Sequence, residues 1–198
     1  MTLKALSPLI GLLRRAFFWL SRPASRKSSA SATPIMPQNL NVHRVLVMLK
    51  NEEGVRDKPY RDHLGYLTVG VGHLIDPRKG GSLPQWAQDE LDSLGRLTPS
   101  TIDKLLEDDI LEKVEQIKTH IPWAVALDPV RFAVLLDMTF QMGIGGVLGF
   151  KNTLRHIQNG DYEQAATNMK ASLWFRQTPN RAERRIKEMR TGVFHRYV

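Results

Sequence analysis

Hydrophobic residues recur with helical spacing in the stretch that follows Asn41. Four of them keep the i, i+3, i+4, i+7 spacing of one helix face: Val42, Val45, Leu46 and Leu49. Gly54 comes directly after this run, in the position where a glycine often ends a helix. The pattern therefore predicts a helix that places Glu53 at its C-terminal end.

A second stretch alternates with a period of two. In "YLTVGVGH", which begins at Tyr66, Leu67, Val69 and Val71 alternate with Thr68, Gly70 and Gly72. This predicts a strand with one aliphatic face and one nearly bare face, which leaves room for a large ligand to lie against the backbone. The preceding "RDHLGY" has the composition of a hairpin turn, so an antiparallel partner strand is expected.

From Thr98 onward the pattern is helical. A long helix is predicted from Thr98-Pro99 to about Ile121, with an apolar stripe formed by Ile102, Leu106, Ile110, Val114 and Ile117. Caps and glycines then indicate further helices at Asp128-Pro129 to Met142, Asn152 to Asn159, from Asp161, and from Thr178-Pro179 to just before Gly192. The region between the strand and Thr98 is expected to be a loop. The predicted fold class is α+β and predominantly helical, with a small antiparallel sheet.

The first 37 residues differ from the rest and form a separate basic N-terminal arm, while residues 38–198 form the predicted domain. Arg14 and Arg15 interrupt the apolar start of the arm, so it is too short to span a bilayer. Its second half is rich in Ser, Ala and Arg, which is typical of a disordered linker. Two interpretations stay open: residues 1–35 contain an amphipathic helix that contacts an anionic membrane, or translation starts at Met36.

A signal peptide is a further interpretation, because Ala30-Ser31-Ala32 has the form of a cleavage site. The five Lys and Arg residues between the apolar core and this site argue against it.

Charge and composition narrow the functional classes. The net charge of +8 comes from the first 51 residues, which hold eight Lys or Arg and no acid. Residues 138–198 hold ten bases against four acids, so a polyanion is an expected partner, but no nucleic-acid-binding motif is present and no nucleic acid is expected. Without cysteine or a His-Glu-x-x-His motif, no metal or other cofactor is expected.

Glu53, Asp62 and Thr68 have the chemistry that cleavage of a glycosidic bond requires. Such cleavage needs one carboxylic acid that is still protonated near neutral pH and a second carboxylate that stays ionised. The chain is expected to reverse direction in the hairpin turn, which brings Thr68 close to Asp62. The hydroxyl and the carboxylate can then hold one water molecule between them by hydrogen bonds. A Glu at a helix end, an Asp in a turn and a Thr in a strand are also common surface residues without a catalytic role. The spacing alone favours this non-catalytic interpretation.

Longer motifs support the catalytic interpretation. They are "EG" at Glu53, "YRDHLGYLTVGVGHL" from Tyr60, "FQMGIGGVLGF" from Phe140, "QTPNRAERR" from Gln177 and "RTG" from Arg190. With these motifs in this order, the sequence from Asn41 to about Tyr197 resembles the phage-type lysozymes. The resemblance implies a two-lobed fold, with a small antiparallel sheet lobe and a helical C-terminal lobe joined by a long helix.

The family resemblance also implies a function. It indicates a monomeric endolysin that hydrolyses the β-1,4 bond between N-acetylmuramic acid and N-acetylglucosamine in peptidoglycan, inverts the anomeric configuration and lyses the host cell. Such an enzyme is expected in the host cytoplasm until a holin-type release brings it to the wall.

The resemblance assigns roles to individual residues. Glu53 is the general acid, and Asp62 with Thr68 positions the water on the opposite face of the sugar. The substrate-binding residues are Leu74, Phe140, Gln141, Thr153 and Asn168. The supporting residues are Arg181, which pairs with Glu53, and Arg184, which faces Glu52. His73 and Asp109 form a structural ion pair.

Some positions depart from the family pattern, and some alternatives stay open. Leu64 and Leu173 stand where the family has an acid and a base that face each other across the cleft mouth, and Thr153 replaces a serine. A lytic transglycosylase would need no water site at Asp62 and Thr68. A second alternative is a membrane-active antibacterial protein that acts through the basic N-terminal arm. A third alternative is a module that binds the cell wall without catalysing a reaction.

Overall fold

The computed structural model describes residues 40–62 and 64–197. The predictions for the N-terminal arm and for a start at Met36 lie outside these residues. The helices are α1 (Val42–Glu53), α2 (Gln85–Leu94), α3 (Pro99–His120), α4 (Pro129–Leu148), α5 (Lys151–Gln158), α6 (Tyr162–Lys170), α7 (Leu173–Gln177) and α8 (Pro179–Thr191). The strands are β1 (Arg56–Arg61), β2 (Leu67–Gly70) and β3 (His73–Leu74), and 3-10 turns occur at Pro77–Lys79 and Pro122–Ala126.

The three strands form one antiparallel sheet in the order β1-β2-β3. Tyr60 lies opposite Thr68 in the first pair, and Thr68 lies opposite Leu74 in the second. The predicted hairpin is therefore present, and the α+β, predominantly helical fold class is confirmed.

The described chain divides into two compact units. One holds residues 42–112 together with Tyr197, and the other holds residues 40–41 and 113–196. Helix α3 begins in the first unit and ends in the second.

The core of the first unit is formed by the aliphatic positions that the sequence pattern identified. Val45 and Leu49 of α1, Val69 of β2, and Ile102 and Ile110 of α3 are all buried. Helix α1 ends where Gly54 takes a left-handed φ of 75° and its N–H bonds to the Lys50 carbonyl at 3.0 Å. This confirms the predicted helix end beside Glu53.

Asp76 organises the end of the sheet. Its nearly buried carboxylate accepts hydrogen bonds from the backbone N–H of Leu67 at 3.0 Å and from the backbone and guanidinium of Arg78 at 2.6–3.0 Å. The hydrogen bond from the Arg78 side chain is the main reason that the pKa of Asp76 lies well below its usual range. Asp76 thus ties the start of β2 to the following 3-10 turn.

The core of the second unit is built around α4, which is buried along nearly all of its length. Asp128 caps its N-terminus by accepting from the N–H groups of Val130 and Arg131 at 3.1 and 3.0 Å. By length and composition α4 is apolar enough to cross a membrane, but 83% of that window is buried inside the protein. The buried core helix of a soluble protein has the same length, composition and burial.

Two helices were not predicted from the sequence, and two boundaries were wrong. The predicted strand was expected to include Val71 and Gly72, but β2 ends at Gly70 and a turn separates it from β3. The region expected to be a loop contains α2, and the segment before the last helix contains α7. Helix α4 was expected to end at Met142, but it continues to Leu148 across a kink at Gly143, where φ is 73° and ψ is 164°. Only glycine adopts such angles at low cost, so the chain bends there and the helix resumes.

Candidate active site

Glu53 is the last residue of α1, and its side chain is half-buried. The apolar stripe of α1 anchors the helix in the core, and Gly54 then turns the chain away. The carboxyl group of Glu53 is therefore carried on a rigid element at the edge of the core.

Asp62 lies in the turn between β1 and β2, where its own backbone and side chain shape the turn. Its Oδ1 accepts hydrogen bonds from the N–H groups of Leu64 and Tyr66, both at 2.9 Å. Its N–H donates to the Tyr66 carbonyl, and its carbonyl accepts from the N–H of Gly65, where φ is 78°. These bonds fix the carboxylate of Asp62 in one orientation.

Thr68 lies in the middle of β2 and is buried. Its hydroxyl is within 3.3 Å of the Tyr60 carbonyl and 3.4 Å of the Tyr66 carbonyl, and it donates its one proton to this pair of acceptors. Oxygen lone pairs remain available to accept a hydrogen bond from a water. Glu53, Asp62 and Thr68 belong to the same compact unit.

The five predicted substrate-binding residues are divided between the two units. Leu74 is half-buried in the unit that holds Glu53. Phe140 and Thr153 are buried in the other unit, where Asn168 is half-buried and donates to the Gln164 carbonyl at 3.0 Å. The structure assigns these residues positions, and their contact with substrate stays a prediction.

Gln141 is fully buried, and both ends of its amide are engaged. Its Oε1 accepts from the indole N–H of Trp174 at 2.6 Å, and its Nε2 donates to the hydroxyl of Thr178 at 3.2 Å. Trp174 is itself buried and packs edge-on against Phe150, with ring centroids 6.1 Å apart. Trp174 is therefore a core residue, and its hydrogen bond gives Gln141 a structural role within its own unit.

The supporting residues have partners that the sequence did not indicate. The buried carboxylate of Glu52 accepts a hydrogen bond of 2.9 Å from the hydroxyl of Tyr197. Arg181 forms a bidentate ion pair with Asp137, at 3.0 and 2.8 Å. The pairing of Arg181 with Glu53, and that of Arg184 with Glu52, joins residues of different units and stays a prediction.

His73 and Asp109 form the ion pair that the family resemblance implied. The Nδ1 of His73 is 3.0 Å from both carboxylate oxygens of Asp109, and its Nε2 is 3.1 Å from the carbonyl of Ser82. Burial lowers the pKa of His73, but the hydrogen bond and charge of Asp109, with smaller effects from Ser82 and Glu112, raise the pKa above its ordinary value. Because Asp109 and Ser82 both present acceptors, the doubly protonated ring fits this site.

The positions that depart from the family pattern are exposed. Leu64 is 48% exposed and Leu173 is 59% exposed.

Within residues 40–62 and 64–197, no three His, Asp or Glu side chains come together in an arrangement that could hold a metal ion.

Comparison with known proteins identifies the class. The phage lysozyme family matches residues 50–188. The chain is 34% identical over 162 residues to the probable T4-type lysozyme 1 of Dictyostelium discoideum, which covers 76% of this chain and 95% of that protein. It is also 34% identical over 161 residues to the pre-baseplate central spike protein Gp5 of Enterobacteria phage T4, covering 76% of this chain and 28% of Gp5.

A third relative, the peptidoglycan hydrolase gp36 of Pseudomonas phage phiKMV, is 28% identical over 137 residues, which are 69% of this chain and 14% of gp36. The chain therefore belongs to the phage lysozyme family. It is a glycoside hydrolase of the lysozyme type.

Proposed function

We propose that this lysozyme hydrolyses the β-1,4 bond between N-acetylmuramic acid and N-acetylglucosamine in bacterial peptidoglycan, with inversion of configuration. Hydrolysis of peptidoglycan follows from membership of the family and from its relatives, one of which is named as a peptidoglycan hydrolase. The bond, the stereochemistry and the residue roles are the further steps of the proposal.

In this proposal Glu53 is the general acid and protonates the leaving oxygen. Asp62 and Thr68 position the attacking water on the other face of the sugar ring. The observation that carries the proposal is the turn in which two N–H groups hold Oδ1 of Asp62 while the neighbouring strand carries Thr68. An inverting mechanism requires an ionised and oriented second carboxylate of this kind.

Further residues complete the proposed site. Leu74, Phe140, Gln141, Thr153 and Asn168 contribute to substrate binding, Arg181 pairs with Glu53, and Arg184 faces Glu52. The enzyme acts as a monomer that stays in the host cytoplasm until its release to the wall leads to lysis.

The test is turnover of purified peptidoglycan by the Glu53→Gln variant. Loss of the acid is expected to lower turnover by roughly a hundredfold to ten-thousandfold, because the leaving oxygen then receives no proton. Glu107→Gln, an exposed acid of α3, serves as the matched control and is expected to leave turnover unchanged. Unchanged turnover of Glu53→Gln would overturn the role of Glu53.

Product analysis tests the reaction type. Proton NMR during digestion is expected to show a reducing-end product of inverted configuration, and Asp62→Asn is expected to abolish its formation. An anhydro-sugar product would instead indicate a lytic transglycosylase, which needs no water site at Asp62 and Thr68.

A further inference from the structure

Two arginine side chains donate hydrogen bonds to the same backbone carbonyl in the turn that carries Asp62. Nη1 of Arg61 donates to the carbonyl oxygen of Gly65 at 2.9 Å, and Nη2 of Arg78 donates to it at 3.0 Å. Arg61 is the last residue of β1 and Arg78 lies in the 3-10 turn after β3, so the two side chains reach the carbonyl from different elements. We call Arg61 and Arg78 the arginine pair. All four residues belong to the same compact unit.

The carbonyl that the arginine pair contacts shares a peptide bond with an N–H group that holds Asp62. This N–H belongs to Tyr66, and it donates to Oδ1 of Asp62 at 2.9 Å. A trans peptide bond is planar, and its C=O and N–H point in opposite directions. Hydrogen bonds that fix the direction of the Gly65 carbonyl therefore also fix the direction of the Tyr66 N–H toward Asp62.

The Gly65–Tyr66 peptide needs such a restraint because of its position. Gly65 has a φ of 78°, and a glycine changes its backbone angles at low steric cost. Rotation of this peptide plane would turn the Tyr66 N–H away from the Asp62 carboxylate. Two cationic donors on the carbonyl oppose the rotation, because it would break both charge-assisted hydrogen bonds.

Asp76 holds one member of the arginine pair in place. Its two oxygens accept from Nε and Nη2 of the Arg78 side chain at 2.9 and 2.6 Å, and this two-point contact fixes the plane of the guanidinium. Asp76 is itself anchored, since its carboxylate is nearly buried and accepts from the N–H of Leu67 at 3.0 Å. A series of hydrogen bonds thus runs from the start of β2 through Asp76 and Arg78 to the peptide that orients Asp62.

Stability accounts poorly for the arginine pair. Arg61 is exposed and the side chain of Arg78 is 64% exposed, so water can replace either donor at the carbonyl. Charged side chains at such exposed positions contribute little to folding, because ordering a long side chain costs conformational entropy. Two ordered arginines at one exposed carbonyl are better explained by the orientation that they give to the turn.

We propose that Arg61 and Arg78 are positioning residues that keep the Asp62 carboxylate in the orientation needed to hold the attacking water. The inference rests on the proposed function, in which Asp62 positions that water. The arginine pair fixes the Gly65–Tyr66 peptide, and the N–H of this peptide fixes Oδ1 of Asp62. Without the pair the carboxylate samples several orientations, so the water is placed correctly for a smaller part of the time.

The first test removes one member of the arginine pair in Arg78→Met and measures kcat and KM on soluble peptidoglycan fragments. The value of kcat is expected to fall by roughly threefold to tenfold, since the water is oriented for only part of the time. The value of KM is expected to change by less than about twofold, because the arginine pair is not proposed to contact the substrate. A folded variant with the kcat of the parent overturns the proposal.

Lys79 provides the matched control. Its Nζ lies 5.1 Å from the centre of the Tyr66 ring, and the Arg78 guanidinium lies 5.4 Å from the same centre. The two residues are neighbours in the 3-10 turn, and of the two it is Arg78 that donates to the Gly65 carbonyl. Lys79→Met removes a similar charge from a similar place and is expected to keep the parental kcat. An equal fall in kcat for this control would show a general effect of charge and contradict a role of the hydrogen bond.

Hydrogen exchange measured by NMR tests the orientation of the peptide without a substrate. The amide proton of Tyr66 is expected to exchange roughly tenfold faster in Arg78→Met, because the peptide that presents it to Asp62 is less restrained. The same amide is expected to exchange at the parental rate in Lys79→Met. Parental exchange of the Tyr66 amide in Arg78→Met would show that the arginine does not fix this peptide, and the proposal would then be wrong.

A second variant decides the matter if loss of the cation beside the nearly buried Asp76 unfolds Arg78→Met. Arg61→Met removes the other donor to the Gly65 carbonyl and leaves the contact between Asp76 and Arg78 in place. Its kcat is expected to fall by roughly threefold, with faster exchange of the Tyr66 amide. Folded Arg61→Met with parental kcat and parental exchange refutes the positioning role.

Failure of the proposed function gives a different result. If Asp62→Asn turns over peptidoglycan as fast as the parent, then Asp62 does not position the water and the proposed function itself fails. If turnover depends on Asp62 while variants of the arginine pair keep full kcat, only the positioning role is refuted.

Discussion

The hydroxyl of Tyr197 donates a hydrogen bond of 2.9 Å to Oε1 of Glu52, across 145 positions of the sequence. Glu52 is buried and directly precedes Glu53 at the end of α1. The last described residue of the chain therefore stabilises the turn of helix that carries the proposed general acid.

Removing this hydroxyl in Tyr197→Phe is expected to lower the free energy of unfolding by about 1–2 kcal/mol, since the hydrogen bond goes to a carboxylate in a buried position. Turnover of peptidoglycan is expected to fall with it, because the end of α1 becomes less rigid. Urea denaturation and turbidity assays measure the two effects. Tyr162→Phe is a suitable control, because no hydrogen bond of the Tyr162 hydroxyl occurs among the residues that the structure describes. Equal behaviour of the two variants would contradict the role of Tyr197.

The His73–Asp109 pair predicts a pH-dependent stability. The pKa of His73 is raised in the folded protein, so the pair contributes fully below the ordinary histidine pKa of 6.5 and its contribution is lost as the pH rises through the folded value. His73→Asn is therefore expected to be destabilised by about 2 kcal/mol near pH 5 and by progressively less at alkaline pH. Chemical denaturation of both proteins between pH 5 and 9 measures this difference.

A constant difference across this pH range would show that His73 contributes through packing and not through its charge. The variant Asp109→Asn provides the complementary check. It removes the main cause of the raised pKa, so the NMR titration of the His73 ring is expected to move to lower pH.

Arg131 connects three helices of the second unit. Its guanidinium donates to the carbonyls of Met189 and Arg190 at the end of α8, at 2.8 and 3.1 Å, and to Asp128 at 2.7 Å. It also lies 3.6 Å from the centre of the Tyr162 ring on α6. One side chain thus donates hydrogen bonds to carbonyls at the C-terminal end of α8 and to the residue that caps the N-terminus of α4.

Arg131→Met is expected to reduce the free energy of unfolding by roughly 2–3 kcal/mol, because it leaves two helix-end carbonyls and Asp128 without this donor. Arg131→Lys is expected to lose less free energy of unfolding, since the ammonium keeps the positive charge although it lacks the planar set of N–H donors of the guanidinium. Thermal denaturation with calorimetry ranks the two variants. Comparable losses of stability in both variants would indicate that the planar geometry of the guanidinium donors, and not the charge, accounts for the effect.

The sequence predicted those elements whose local signals agree with their packing. The stripe of α1 with Gly54, and that of α3 with Thr98-Pro99, appear in the structure almost at the expected residues. Helix α2 was missed because it begins after Pro84 without a side-chain cap and only one of its ten residues, Ala87, is buried. Helix α7 has five residues, which is too short for a period to show.

The candidate site was predicted to a similar extent. The hairpin that carries Asp62 and Thr68 was expected, because its turn composition and alternation are local. The pairing of Asp137 with Arg181 was not expected, since it depends on the packing of α4 against α8. A signal was nevertheless present: Asp137 is the single acid in a predominantly apolar helix, and such a residue requires a buried partner.

Gln141 provides the last prediction, because its geometry sets a structural role against a substrate-binding role. Gln141→Met preserves side-chain volume but removes both hydrogen bonds, so the buried indole N–H of Trp174 loses its acceptor. The free energy of unfolding is expected to fall by about 2–3 kcal/mol. Asn168→Ala, at a half-buried position of α6, is expected to change it by less than about 0.5 kcal/mol while lowering turnover.

If Gln141→Met instead keeps the stability of the parent and loses turnover alone, then Gln141 acts on the substrate. The two variants therefore separate a residue that builds the site from one that binds in it. Denaturation curves and initial rates on the same preparations are sufficient, because the two roles predict opposite changes in the two quantities.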